Sequence, residues 1–196
     1  MTVPVLVLVA AFVIAPVPFS VPLRAVAPAS FGAPGGAAYG SADRLRPQGA
    51  RVQAWLREAR RRSPTVSRLA DEIEQSDVMV YLEVGHRLSP NVSACLTWMA
   101  TVSTRRIVRA TFRGDLGTNE VIALLAHELQ HVVELIEHPE VRSTETLLDL
   151  YRRIGHSTGS DGLHWDTADA VAAGTLARLE ATMPVRPGPN TSTKGT

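Results

Sequence analysis

Residues 119–138 read NEVIALLAHELQHVVELIEH, and this stretch decides the fold. Val121, Ile122, Leu124, Leu125, Leu129, Val132, Val133, Leu135 and Ile136 leave few polar positions, the pattern of a helix buried on most sides. The polar residues that remain gather at His127, Glu128 and His131. Histidines four apart share one helix face and can grip one metal ion, and Glu128 between them is placed to act as base toward a water at that metal. Burying two imidazoles and a carboxyl without partners is costly, and a metal ion satisfies all three. The competing reading is a pair of hydrogen-bonded core histidines beside a solvated glutamate. Thr118 or Asn119 is expected to cap the helix, Glu120 suits its positive end, and Pro139 disfavours helix at His138.

Zinc suits these donors, and a catalytic zinc site uses three protein ligands with the fourth position left to water or substrate. The motif supplies two ligands and a base. The third ligand has to come from elsewhere in the chain.

Outward from the motif helix, three segments read as strands: Val78 to Val84, Ala94 to Val102 and Arg106 to Phe112. Ser89-Pro90 and Asn91 mark a turn between the first two. Two helices precede them, from about Ala50 to Arg62 and then to about Gln75, with Ser63 as cap and Pro64 at the first position of the second. Two more follow the motif, from about Thr144 to Ile154, stopped by Gly155, and from about Asp166 to Thr182. His156 to Leu163 reads as a Gly- and Ser-rich loop. The expected class is α+β: a small, mostly antiparallel three-stranded sheet packed on the motif helix, with further helices.

The expected organisation is a signal peptide or N-terminal anchor over 1–29, a flexible linker over 30–49, the catalytic domain over 50–183 and a disordered tail over 184–196. The apolar run from Val5 to Ala15 is too short to span a bilayer, and Ala27-Pro28-Ala29 offers a cleavage site, although no Lys or Arg precedes the run. An exported protein follows from this reading, in contact with a membrane only if that segment is retained.

Twenty basic and nineteen acidic residues give a net charge of +1, so no global field favours an acidic partner. Arg57, Arg60, Arg61 and Arg62 form the wet face of a helix whose other side carries Val52, Trp55, Leu56 and Ala59. No base-stacking aromatics accompany these arginines, so nucleic acid is not expected as a partner. Cys95 is the only cysteine; it excludes an intramolecular disulfide and reads as a buried strand residue rather than a nucleophile.

A sheet followed by a helix bearing HELQH resembles the upper half of the zincin metallopeptidases over roughly Val78 to Met183. The resemblance implies a minimal zincin-like domain in which the strand before the motif helix, Arg106 to Phe112, receives an extended peptide along its edge. Residues 127–138, the segment Tyr151 to Gly155 and the late acidic-Thr helix start also resemble a family of small exported bacterial proteins of unassigned function.

The resemblance also bears on the third ligand. A metzincin extension needs Gly at 134 and His at 137, whereas the chain has Glu134 and Glu137. Gluzincins take a glutamate from a later helix, and the matching position here is Asp166 in His164-Trp165-Asp166-Thr167. Aspartate can ligate zinc but reaches one methylene less far. Asp166 with Asp169 also reads as a helix N-cap, and both readings stay open. Glu134, seven residues after His127 on the same face, is a candidate to orient a ligand. His156 and His164 are candidate donors to an oxyanion, or exposed loop histidines.

These readings converge on a zinc-dependent peptidase, with Zn2+ on His127, His131 and Asp166, Glu128 as general base and a peptide or protein substrate. The alternative is an exported, catalytically inactive zincin-like binding module.

Overall fold

The computed structural model describes residues 7–8, 43–85, 88, 91–158 and 164–183. The segment read as a signal peptide with a cleavage site, the expected Ser89-Pro90 turn, residues 159–163 and the segment read as a tail over 184–196 lie outside the described residues, apart from Val7 and Leu8. The described elements are, in order, β1 (Val7–Leu8), β2 (Leu45–Pro47), α1 (Gly49–Arg62), α2 (Pro64–Glu74), β3 (Val78–Gly85), β4 (Ala94–Val102), β5 (Arg105–Arg113), α3 (Thr118–Glu137), α4 (Thr144–Ile154), β6 (His156–Ser157), β7 (Trp165–Asp166) and α5 (Ala168–Thr182). None of the described helices is long and apolar enough to cross a membrane.

The α+β class stands, but the sheet is mixed rather than mostly antiparallel, and larger than three strands. Its order is β4-β5-β3-β2, with the two-residue β1 added beside β4. β4 pairs antiparallel with β5, whereas β5 with β3 and β3 with β2 are parallel pairs. β3 and β4 are therefore not neighbours. The chain leaves β3, passes the place where β5 will lie, and returns through the β4–β5 hairpin to fill it. Alternating burial fixes which face a side chain takes, but not which strand lies next to it.

This placement overturns one expectation about substrate binding. β5 is paired along both sides, from Val78↔Arg106 to Gly85↔Arg113 on one and from Ala94↔Phe112 to Val102↔Arg105 on the other. A strand with both ladders filled cannot take a further peptide. The sheet edge on that side belongs to β4, where β1 pairs only with Leu96 and Thr97.

The linker reading also ends too late. Leu45 is buried, and β2 lies along β3, held by the Glu74 carboxylate, which accepts from the main-chain N–H of Arg44 at 2.6 Å and of Leu45 at 3.1 Å. Residues 43–48 thus belong to the folded unit. α1 buries Val52 and Ala59, while Arg61 pairs with Glu58 and Arg60 with Asp71 on the outer side. Ser63 caps α2 by accepting from Val66 N–H, with Pro64 in the first turn as expected.

α3 is the axis of the molecule, about 30 Å long at 1.5 Å per residue. Every residue from Val121 to Leu135 except Gln130 is buried. Its N-cap is Gly117 rather than Thr118 or Asn119, and Glu120 reaches back to accept from the Gly117 N–H at 2.9 Å. It ends at His138, ahead of Pro139. The helix-facing side of the sheet contributes Leu96, Trp98, Val108, Ala110 and Phe112 to one core with α3 and the other helices.

Candidate metal centre

His127 and His131 sit one turn apart on α3, with exposures of 0% and 1%, and their ring centroids are 4.9 Å apart. α5 begins at Ala168, two residues later than the sequence pattern suggests. Its cap is Thr167, whose side chain accepts from Ala170 N–H at 3.1 Å. Asp166 therefore has no capping duty. It lies in β7, paired as a two-residue ribbon with β6, which occupies the start of the segment read as a loop.

The ribbon points the Asp166 carboxylate at both histidines. Asp166 Oδ1 is 3.4 Å from His127 Nε2 and 3.7 Å from His131 Nε2. One ligand atom from each of the three residues fits within 4.8 Å, and all three residues are buried. Ligands about 2.1 Å from a tetrahedral zinc stand roughly 3.4 Å apart, so these separations suit a small ion between them. His127, His131 and Asp166 can hold a metal ion.

Burial pushes the His127 imidazole down to about 3, with the neighbouring His131 adding to the effect and its hydrogen bond to the Ala170 main chain opposing it. A neutral ring is the form that binds metal. For His131, burial also works downward. The hydrogen bond and charge of Glu134, with the charges of Glu128 and Asp166, outweigh it and hold the group above its ordinary value. Burial raises Asp166 as well, against the opposing charge of His131.

Glu134 lies within hydrogen-bond reach of His131. Its Oε2 is 2.9 Å from His131 Nδ1, which leaves Nε2 of the same ring facing Asp166. Tyr151 is wholly buried with its ring edge against His131 at 5.3 Å, and its hydroxyl donates to the His131 carbonyl at 3.3 Å. It is a packing residue, and burial carries its hydroxyl well above the ordinary tyrosine value.

Glu128 is the exception to this pattern of partners. It is 0% exposed, and neither carboxyl oxygen has a hydrogen-bond partner among the described residues. The solvated glutamate of the competing reading is therefore not what the fold holds. Burial raises the carboxyl to about 8, opposed by His131 and reinforced by Asp166 and Glu134. A buried carboxyl without a protein partner calls for a ligand, a water or a cation beside it.

Of the two oxyanion candidates, the ribbon brings His156 to the site. His156 is exposed, its backbone pairs with that of Asp166, and its charge lowers the Asp166 carboxyl. His164 is placed by its main chain, its carbonyl accepting from Thr158 N–H at 2.9 Å.

Two glycines that the sequence reading gave no part in the site make this approach possible. A Cβ on Gly155 would stand 2.6 Å from the Asp166 carbonyl oxygen, so only glycine lets the end of α4 pass the ribbon there. A Cβ on Gly174 would stand 3.1 Å from the Ala123 carbonyl and 3.3 Å from His127 Cβ, so α5 lies against the first motif histidine. No periodicity signal marks either role, because both depend on where another element lies.

The Asp166→Ala protein is expected to fold, because Thr167 still caps α5, but to bind metal at least about 100-fold more weakly. Elemental analysis and competition against a chromophoric chelator measure this. Metal retained at wild-type affinity would remove Asp166 from the ligand set.

Cys95 is free and buried on β4, next to Val92 and Leu88. Burial lifts its thiol to about 12, with the Glu128 charge adding to it and hydrogen bonds with Thr97 and Thr111 opposing. The thiolate is the reactive form, so at pH 8 Cys95 is expected to react with a disulfide reagent only once the protein is unfolded. As the unfolded thiol ionises above pH 8.5 while the folded one stays protonated, this residue also costs stability as pH rises toward 12. Rapid labelling of the native protein would contradict the buried placement.

Compared with protein-family models, curated proteins and solved structures, the chain matches none.

Proposed function

We propose that the protein is a zinc-dependent peptidase. The observation that carries the reading is Glu128: a wholly buried carboxyl, unpartnered, next in sequence to one member of a His127, His131 and Asp166 cluster that suits a metal ion. Zinc is the proposed ion because two imidazoles and one carboxylate are its usual donors in catalytic sites. Bound there, zinc would lower the pKa of a water toward neutrality and polarise the scissile carbonyl.

The chain's own residues supply the remaining steps. Glu128 takes a proton from the attacking water and passes it to the leaving amine. Glu134 holds His131 in one orientation. His156, exposed beside Asp166, is the candidate donor to the developing oxyanion. An extended peptide needs an open strand edge, and the β4 edge supports this role where β5 does not. The zincin-like arrangement is part of the same proposal.

One observation favours the second reading, an exported zincin-like module that binds a partner and catalyses nothing. His127, Glu128, His131 and Asp166 are all at most 4% exposed, which leaves a peptide substrate little access to the cluster. The deciding experiment measures zinc per chain and cleavage of a peptide library by the full chain and by its Glu128→Gln form. Cleavage by the wild type alone, with zinc in both, supports the peptidase. Zinc in both with cleavage by neither supports the binding module.

A further inference from the structure

We infer that Thr167 is a positioning residue that ties two ligands of the proposed zinc centre, His131 and Asp166, into one geometry; the inference rests on the zinc reading above. Thr167 is buried, and three of its hydrogen bonds run to different parts of the site. Its hydroxyl oxygen accepts from Ala170 N–H, which caps α5. Because an amide N–H can only donate, the single hydroxyl proton is left for the other partner, Glu134 Oε1, at 2.5 Å. Its main-chain N–H donates to Asp166 Oδ1 at 2.7 Å, the same oxygen that faces both histidines.

The consequence runs through Glu134. With Oε1 occupied by the Thr167 proton, Oε2 receives His131 Nδ1–H, which fixes the ring and presents Nε2 toward Asp166. One residue thus sets the acceptor that orients His131 and donates to the oxygen of Asp166. It also starts the helix that carries Ala170, the main-chain partner of His127. A threonine serving only as a cap would need the Ala170 bond alone. The Glu134 bond joins α5 to α3 at the point where the ligand-bearing segments meet.

The test compares zinc affinities of the full chain and three variants by chelator competition, with the melting temperature of each metal-free protein as control. Thr167→Val removes donor and acceptor and is expected to weaken zinc about 10- to 100-fold, the usual cost of losing a partner that orients a ligand. Thr167→Ser keeps both and is expected to stay within about threefold of wild type. Thr167→Asp keeps a good cap but has no proton for Glu134, so zinc is expected to weaken although α5 remains capped. Wild-type zinc affinity in Thr167→Val or Thr167→Asp would reduce the residue to a cap and overturn the inference alone. No zinc in the wild type would overturn the zinc reading and this inference with it.

Discussion

Replacing Glu128 by glutamine is expected to leave zinc bound and to reduce peptide cleavage about 10²- to 10⁴-fold, the range a positioned acid–base group contributes. The amide matches the carboxyl in size, so the packing of α3 is kept, but it cannot accept and return a proton. Zinc content and single-turnover cleavage of the two proteins measure both parts. Loss of zinc in the variant would make Glu128 structural rather than catalytic.

The same substitution carries an opposite prediction for stability. In metal-free protein the folded Glu128 carboxyl is raised to about 8 from 4.5. A raised carboxyl destabilises the fold once the unfolded form ionises, so the penalty grows between pH 4.5 and pH 8 and is full above it. Its size is on the order of 3–5 kcal/mol. Metal-free Glu128→Gln is therefore expected to be the more stable protein at pH 8.5, with a smaller advantage at pH 5. Chelated samples followed by thermal denaturation at the two pH values check this. An equal difference at both would show that the wild-type carboxyl ionises without penalty.

The second large effect is expected at Arg106, at the C-terminal end of α3. Its side chain is 1% exposed and lies on the helix-facing side of β5. The guanidinium donates to both Asp77 oxygens, at 2.8 and 2.7 Å, and to the carbonyls of Leu135 and His138, at 2.5 and 2.9 Å. Leu135 lies in the last turn of α3 and His138 is its C-cap; their carbonyls accept from His138 N–H and Val141 N–H, and the guanidinium adds a second donor to each where a cation meets the negative end of the dipole. Arg106→Met is expected to lower stability by about 3 kcal/mol. Most of that comes from the buried cavity and the lost second hydrogen bond at the two carbonyls, which still accept from His138 N–H and Val141 N–H, because Asp77 is 37% exposed and regains water. Arg106→Lys should recover only part, since one ammonium cannot match the bidentate carboxylate and reach both carbonyls. Urea denaturation of the three proteins measures the differences, and a loss under about 1 kcal/mol for Arg106→Met would show that water replaces the guanidinium at the helix end.

Reading Arg106 to Phe112 as a strand was correct, and nothing in its alternation showed that its first residue would close the end of the motif helix. Burial pattern assigns a residue to a face; the element waiting on that face is a long-range matter. The glycines at 155 and 174 are of the same kind, each legible as a residue but not as a contact.

What the sequence determined by itself is local and periodic: the α3 span and its stop before Pro139, the His127, Glu128 and His131 face, the Ser63-Pro64 helix start, three of the strands and the α+β class. These follow from spacing along one element, where neighbours three or four residues apart are fixed by helix geometry. The tertiary structure decided the rest. It set β5 between β3 and β4, put β4 with the two-residue β1 at that side of the sheet, drew residues 43–48 into the sheet and buried Glu128 without a hydrogen-bond partner among the described residues. It also gave the cap of α5 to Thr167 rather than Asp166, whose carboxylate faces two histidines some forty residues earlier. The energy of such pairings depends on which distant segments meet, and that is carried by packing across the core rather than by the order of residues in any one stretch.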